Sequence, residues 1–373
     1  MDLSTWPVLI IIIAVFGAML LYLGMKVPMV WTIARFGYSN ALYNSRINRF
    51  VRRMYVNNLM GTNSFGEAVN FISSASSKDF PLKTVTNVEE AEEVLLSAML
   101  NNVQKAKEES PDMIGPVLDS FIIRYENRTL KNLFSARFHE SSTESGTYPV
   151  GVLTEKLIDE MKKAETLVDM INLLPRRELR EMLSRTENTT FRKVENLLDG
   201  FYIESVERSS SKLPRTLRKE LREFLEVYSD MLTIKTVLRM IKAGVPAAQR
   251  KEYSFARGKH ITRDTLEAFQ DAENVAEALD ALGRTPYAPL LREVFKDFKD
   301  TGRISLFELE LDRFWIRYIE IFAMKMNTTV GPVIRYLTEL EFETRNVIAV
   351  LRGFEVPGGK ELAEELLIVR GST

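Results

Sequence analysis

SFGEAVNFI at residues 64–72, TLVDMINLL at 166–174 and NVAEALDAL at 274–282 line up without a gap, and the organisation of the rest of the chain follows from them. Each carries an acid at the fourth place, Glu67, Asp169 and Glu277, followed two and five positions later by apolar residues. A second element, LLDGFY at 197–202 against ELDRFW at 310–315, with LLSAML at 95–100 as a looser copy, begins 31, 31 and 36 residues after the first. A third, ENRTLKNLFS at 126–135, DMLTIKTVLR at 230–239 and ETRNVIAVLR at 343–352, begins a further 31, 33 and 33 residues along. Any one match is within reach of chance among helices, but three elements in one order at one period point to a triplicated unit. From about residue 34 the apolar residues recur at three and four, Gly and Pro sit at breaks, and alternating β-branched runs are scarce, so the class is all-α.

The period exceeds twice that of a solenoid repeat, which makes each copy a small bundle with its own core. The reading divides the chain into an anchor at 1–33 and helical repeats at 34–140, 141–245 and 246–373. The polar stretch 139–149 and the stretch AGVPAAQR at 243–250 mark the boundaries, and 207–214 is taken as a loop inside the second repeat. Three similar units in tandem suggest a pseudo-threefold funnel with an axial opening, by the repeated-interface logic that closes cyclic oligomers.

Residues 7–25 (PVLIIIIAVFGAMLLYLGM) run 19 positions without a charge, enough to span a hydrocarbon core of about 30 Å. They are expected to form a single transmembrane helix in contact with membrane lipid, flanked by Trp6 and Trp31. No early Lys or Arg supports a cleaved signal peptide. After the span come Lys26, Arg35, Arg46, Arg49, Arg52 and Arg53 with no acid until Glu67, which is expected to place the body on the cytoplasmic side of the cell membrane. Ala14 and Ala18 form a small-xxx-small pair, and with Gly17 they are candidates for packing against another helix.

Composition narrows the chemistry. With 50 Lys+Arg against 51 Asp+Glu, nucleic-acid binding by the whole chain is disfavoured. No cysteine means no disulfide, thiolate metal site or thiol nucleophile. The two histidines, His139 and His260, are read as solvated and lack zinc-ligand spacing. The stretch GFEVPGGK at 353–360 resembles a phosphate loop but is one residue too long before Lys360, with Glu361 where the metal-binding hydroxyl belongs, and is read as a turn before the last helix. No catalytic, cofactor or metal residue is assigned, and no small-molecule substrate is expected.

The runs at 230–239 and 343–352, with FGYSNALYNSR at 36–46, resemble the C subunit of archaeal A-type ATP synthases, the counterpart of the d subunit of vacuolar ATPases. The resemblance covers residues 34–373 in length, repeat number and motif order. The family shows an acid, two variable positions and Asn before an apolar and basic run; Asn346 keeps the Asn, while Thr129 and Thr233 replace it. The resemblance implies three helical bundles forming a funnel, seated on the cytoplasmic face of the proteolipid ring and receiving the foot of the central stalk, with no active site. Central stalk subunits and the proteolipid ring are then the partners. Glu126, Asp230, Arg239, Glu343 and Arg352 become candidate stalk contacts, and Ala14, Gly17 and Ala18 candidate ring-packing residues. A tethered scaffold or adaptor unrelated to an ATPase, and an enzyme without a recognisable motif, remain the alternatives.

Overall fold

The structure, a computed structural model, describes residues 6–46, 48–76, 80–138, 147–186, 190–253 and 257–370, with only some of the side chains before residue 32. It begins with α1 (Trp6–Ser45), followed by α2 (Arg53–Met60), α3 (Phe65–Ala75), α4 (Val88–Glu108) and α5 (Gly115–Phe138). Next come α6 (Glu155–Lys163), α7 (Leu167–Asn172), α8 (Arg177–Ser184), α9 (Phe191–Ser210) and α10 (Arg215–Lys242). The last part holds α11 (Ala247–Arg250), α12 (Arg263–Asp271), α13 (Val275–Ala281), α14 (Ala288–Glu293), α15 (Phe295–Thr301), α16 (Ser305–Lys325), α17 (Gly331–Arg352) and α18 (Gly359–Leu366). Among the described residues there is no strand, only one isolated bridge between Val150 and Leu153.

The recurring acids of the first element are helix caps. Ser64, Thr166 and Asn274 each accept from the N–H of the acid three places on, Glu67, Asp169 and Glu277. The acids in turn accept from the backbone N–H of Asn63, Thr166 and Glu273. One orphan N–H at each helix start is thereby satisfied, and at α7, where Thr166 and Asp169 form a reciprocal capping box, a second; the negative charge lies where the helix dipole favours it. That is how the short helices α3, α7 and α13 arise from the same nine-residue pattern.

The long helices form the core. α4 packs on α5, α5 on α9, α9 on α10, α10 on α16, α16 on α17, and α17 back on α4, so the six close on one another in chain order. The apolar stripes meet in aromatic clusters, one around Phe224, Tyr228 and Trp315 and one around Phe50, Phe71 and Phe80, with ring centroids 4.9–6.0 Å apart. Truncating the buried Trp315 to Ala is worth about 3–5 kcal/mol. The segment 207–214, expected as a loop, is helical as far as Ser210, and the break narrows to the turn before Arg215.

The expected membrane anchor is corrected here. Among the described residues no helix is long and apolar enough to cross a membrane. The transmembrane helix, its lipid contact and the single-pass localisation are therefore not upheld. The 19-residue stretch is the first part of a 40-residue helix that continues through Lys26 and Arg35 into the body. There Phe36, Ser39, Asn40 and Tyr43 are buried, and the Tyr43 ring lies 5.1 Å from that of Tyr336 on α17. Met1–Thr5 and the linker residue His139 lie outside the described residues.

Candidate functional site

The third element places its acids on α5, α10 and α17, one per long helix, and all three are buried: Glu126 is 2% exposed, Asp230 0% and Glu343 1%. Each receives the backbone of a short segment that leads into a different group of helices. Glu126 accepts from Val152 N–H (3.0 Å) and pairs with Arg176 through two guanidinium nitrogens (2.6 and 2.9 Å). Asp230 accepts from the N–H groups of Lys259, His260 and Ile261 (3.2, 2.8 and 3.1 Å) and from the Tyr287 hydroxyl (3.0 Å). Glu343 accepts from Arg49 and Phe50 N–H (2.7 and 2.9 Å). Burial pushes the Asp230 carboxyl up, and the backbone N–H groups of His260 and Ile261 and the Tyr287 hydroxyl work against it.

Three places after the acid, the position where the resemblance expects Asn completes the tie. The Asn346 amide donates to Phe50 O (2.7 Å), and the Thr129 hydroxyl donates to Tyr148 O (3.2 Å). So in the first and third repeats the acid takes N–H groups of a lead-in segment while its neighbour one turn on takes a carbonyl. The close approach requires glycine in two lead-ins. A Cβ on Gly258 would lie 1.8 Å from Asp230 Oδ1, and one on Gly151, whose φ is +57°, would lie 2.0 Å from Glu126 Oε1.

Charged pairs bridge the same seams. Lys131 on α5 meets Asp199 on α9 at 2.6 Å, and Lys235 on α10 meets Asp312 on α16 at 2.6 Å. The aligned places at the α17–α4 seam are Ile348 and Ser97, so both charges are missing together. Arg239 on α10 pairs with Glu308 on α16, and Arg352 on α17 pairs with Glu92 on α4; Ser135 holds the aligned place on α5. Burial alone would raise the Asp312 carboxyl, but the Lys235 ammonium and Arg345 guanidinium outweigh it and hold the group below the usual carboxylate range.

The three helices also meet each other. Two residues before each acid stand Arg124, Tyr228 and Glu341, aligned places of which the first reaches the other two: Arg124 Nη1 is 2.8 Å from Glu341 Oε2, and its guanidinium sits over the Tyr228 ring at 5.0 Å. Burial works to lower the Arg124 guanidinium, yet the Glu341 carboxylate and nearby tyrosines outweigh it, so Arg124 stays charged. Beside this cluster is a cavity of about 180 Å³ lined by residues of α5, α9, α10 and α17, including Tyr125, Asn127, Tyr202 and Asp199. Burial pushes the Tyr202 hydroxyl up to about 12.

Of the five candidate stalk contacts, the structure thus brings Glu126, Asp230 and Glu343 to internal seams, while Arg239 and Arg352 keep about half of their side chains exposed. Ala14 and Gly17 lie exposed on α1, and the Ala18 side chain is outside the described residues. His260, expected to be solvated, is half-buried with its ring 5.9 Å from that of Tyr287, because Asp230 draws its backbone inward. Sequence reasoning missed the seam partners Asp199, Asp312 and Arg124; the repeat alignment sets Lys131 level with Lys235 and Ile348, and Asp199 level with Asp312 and Ser97, but not one set opposite the other. Among the described residues no cluster of His, Cys, Asp and Glu could hold a metal ion. Closed ion pairs and carboxylates saturated by backbone donors make an architecture that holds helices together.

Among the described residues the chain is an all-helical protein whose long helices are stitched across their seams by repeated polar ties, and comparison with known proteins gives its family. Residues 39–357 match the family ATP synthase (C/AC39) subunit, and the chain belongs to that family. It is 25% identical to the A-type ATP synthase C subunit of Methanocaldococcus jannaschii over 87% of this chain and 84% of that one. It is 24% identical to the protein of the same name from Methanothermobacter thermautotrophicus over 89% and 87%. For the Pyrococcus abyssi protein the identity is 23% over 87% and 88%.

Proposed function

We propose that this ATP synthase component is a noncatalytic coupling element of the rotor, seated between the central stalk and the proteolipid ring of an A/V-type ATPase or ATP synthase that moves protons or sodium ions. The observation that carries the reading is the meeting of Arg124, Tyr228 and Glu341. That Arg124 reaches the equivalent positions of both other repeats supports a common axis, and the closed order of the six long helices agrees with this. In this reading repeats 34–140, 141–245 and 246–373 form a pseudo-threefold funnel. Torque is borne by the seams, where buried carboxylates and ion pairs resist shear because leaving any of them unpaired is costly. Stalk contact falls to the half-exposed Arg239 and Arg352 at the rim, with Glu126, Asp230 and Glu343 supporting them from within. Ala14, Gly17 and Ala18 on α1 are the places where a ring helix can approach closely.

Purification of the tagged full-length chain in mild detergent tests this. The reading expects the catalytic ATPase subunits and the proteolipid to co-elute in fixed proportion. A monodisperse protein, or one carrying unrelated partners, would overturn it in favour of a scaffold.

A further inference from the structure

The backbone itself links two of the three seams, from α5 towards α9 and from α10 towards α16. The third joins α17 to α4, which are remote in sequence, so only noncovalent contacts close it. It lacks the lysine–aspartate pair of the other two, since Ile348 and Ser97 hold those places. What it has instead is the segment after α17. Lys360 donates from its ammonium to Met60 O (3.1 Å) and to Thr62 O at the end of α2. Ile368 N–H donates to Asn346 Oδ1 (2.9 Å), and the Asn346 amide donates both to Ile368 O (2.7 Å) and to Phe50 O (2.7 Å). Arg370 N–H donates to Val51 O at 2.8 Å, while its guanidinium reaches Glu320 and, at 3.3 Å, Glu339. One buried amide therefore fastens the tail and the first lead-in segment together.

The segment is built to move as a piece. It starts at a tight glycine turn in which a Cβ on Gly359 would lie 2.7 Å from Gly353 O and 2.7 Å from Val356 Cγ2, and Gly358 has φ +72°. Within α18 only Gly359 and Ala363 are buried, and Leu362 and Leu366 face outward. With so few buried apolar contacts of its own, α18 hangs between Lys360 at one end and the buried Leu367 and Ile368 with Arg370 at the other, and opens at lower free energy than the long helices. Lys360, whose setting in GFEVPGGK resembles a phosphate loop, is one of those anchors.

We propose that residues 353–370 are a hinged strap that fastens α17 to the first lead-in segment and the end of α2, and that its release makes the neighbouring α17–α4 seam the one at which the closed order of helices opens. The inference stands on the contacts of this chain alone and does not depend on the partners assigned above. Hydrogen–deuterium exchange on the full-length protein tests it with Lys360→Met, which keeps most of the side-chain volume and removes the two bonds at the end of α2. Exchange should rise together, by about tenfold, in peptides spanning 48–62 and 359–370, with 148–153 and 258–262 unchanged. A chain ending at residue 357 should show the larger effect in 48–62 with the same sparing of the other lead-ins; if it fails to fold, Lys360→Met decides alone. Equal acceleration of all three lead-ins, acceleration confined to 359–370, or no change in Lys360→Met would each overturn the strap.

Discussion

Gly258→Ala puts the carboxylate tie under its most direct strain. The new Cβ would lie 1.8 Å from Asp230 Oδ1 and 2.9 Å from its Cγ. A van der Waals contact needs more than about 3 Å, so Asp230 must withdraw by over an ångström and lose at least two of its four hydrogen bonds, to Lys259, His260, Ile261 and Tyr287. Hydrogen bonds to a charged group are worth about 1.5–3 kcal/mol each, which makes the loss about 3–6 kcal/mol. Restricting the unfolded chain returns up to about 1 kcal/mol, leaving a net cost of about 2–5 kcal/mol. Urea unfolding at pH 7, followed by circular dichroism and tryptophan fluorescence, measures it. The decisive comparison is the same substitution made in Asp230→Ala, where nothing obstructs the methyl group. There Gly258→Ala should cost less than about 1 kcal/mol, a coupling of several kcal/mol between the two sites. An equal cost in both backgrounds would refute the argument and place the penalty in the backbone of Gly258 itself.

Three further outcomes are expected. Asp312 is held below the usual carboxylate range when folded, so its stabilising contribution is complete above the unfolded value of about 4 and is lost as pH falls through the folded value; Asp312→Asn should flatten that part of the stability–pH curve, and an unchanged acid limb would contradict it. Arg124→Met leaves the Glu341 carboxylate without its partner and should cost about 3 kcal/mol in urea unfolding, most of it recovered in Arg124→Met with Glu341→Gln. Ile348→Lys with Ser97→Asp supplies the α17–α4 seam with the pair found at the other two, and a double-mutant cycle should show favourable coupling of about 0.5–1 kcal/mol; zero coupling would mean that the aligned positions do not face each other.

Much of this architecture can be read from the sequence because its recurring residues do local work. Glu67, Asp169 and Glu277 were legible as a pattern since a capping acid must stand three places after its cap, a spacing fixed within one helical turn. Glu126, Asp230 and Glu343 were legible as equivalent but not as buried: spacing along a helix does not tell which backbone segment, 26 to nearly 300 residues away, comes to the carboxylate. Gly151 and Gly258 record that approach in the sequence, but only once the acid is known to point at them. The membrane expectation also failed. Residues 7–25 are the start of a helix that runs unbroken to Ser45, and among the described residues no helix is long and apolar enough to cross a membrane.

A density map of the rotary complex isolated through a tag on this chain tests the central claim most directly. The account expects one copy on the rotation axis between the central stalk and the proteolipid ring, with Arg124, Tyr228 and Glu341 around the axis and Arg239 and Arg352 turned towards the stalk. A copy on the periphery of the complex, or on the axis with those three residues far from it, would contradict it.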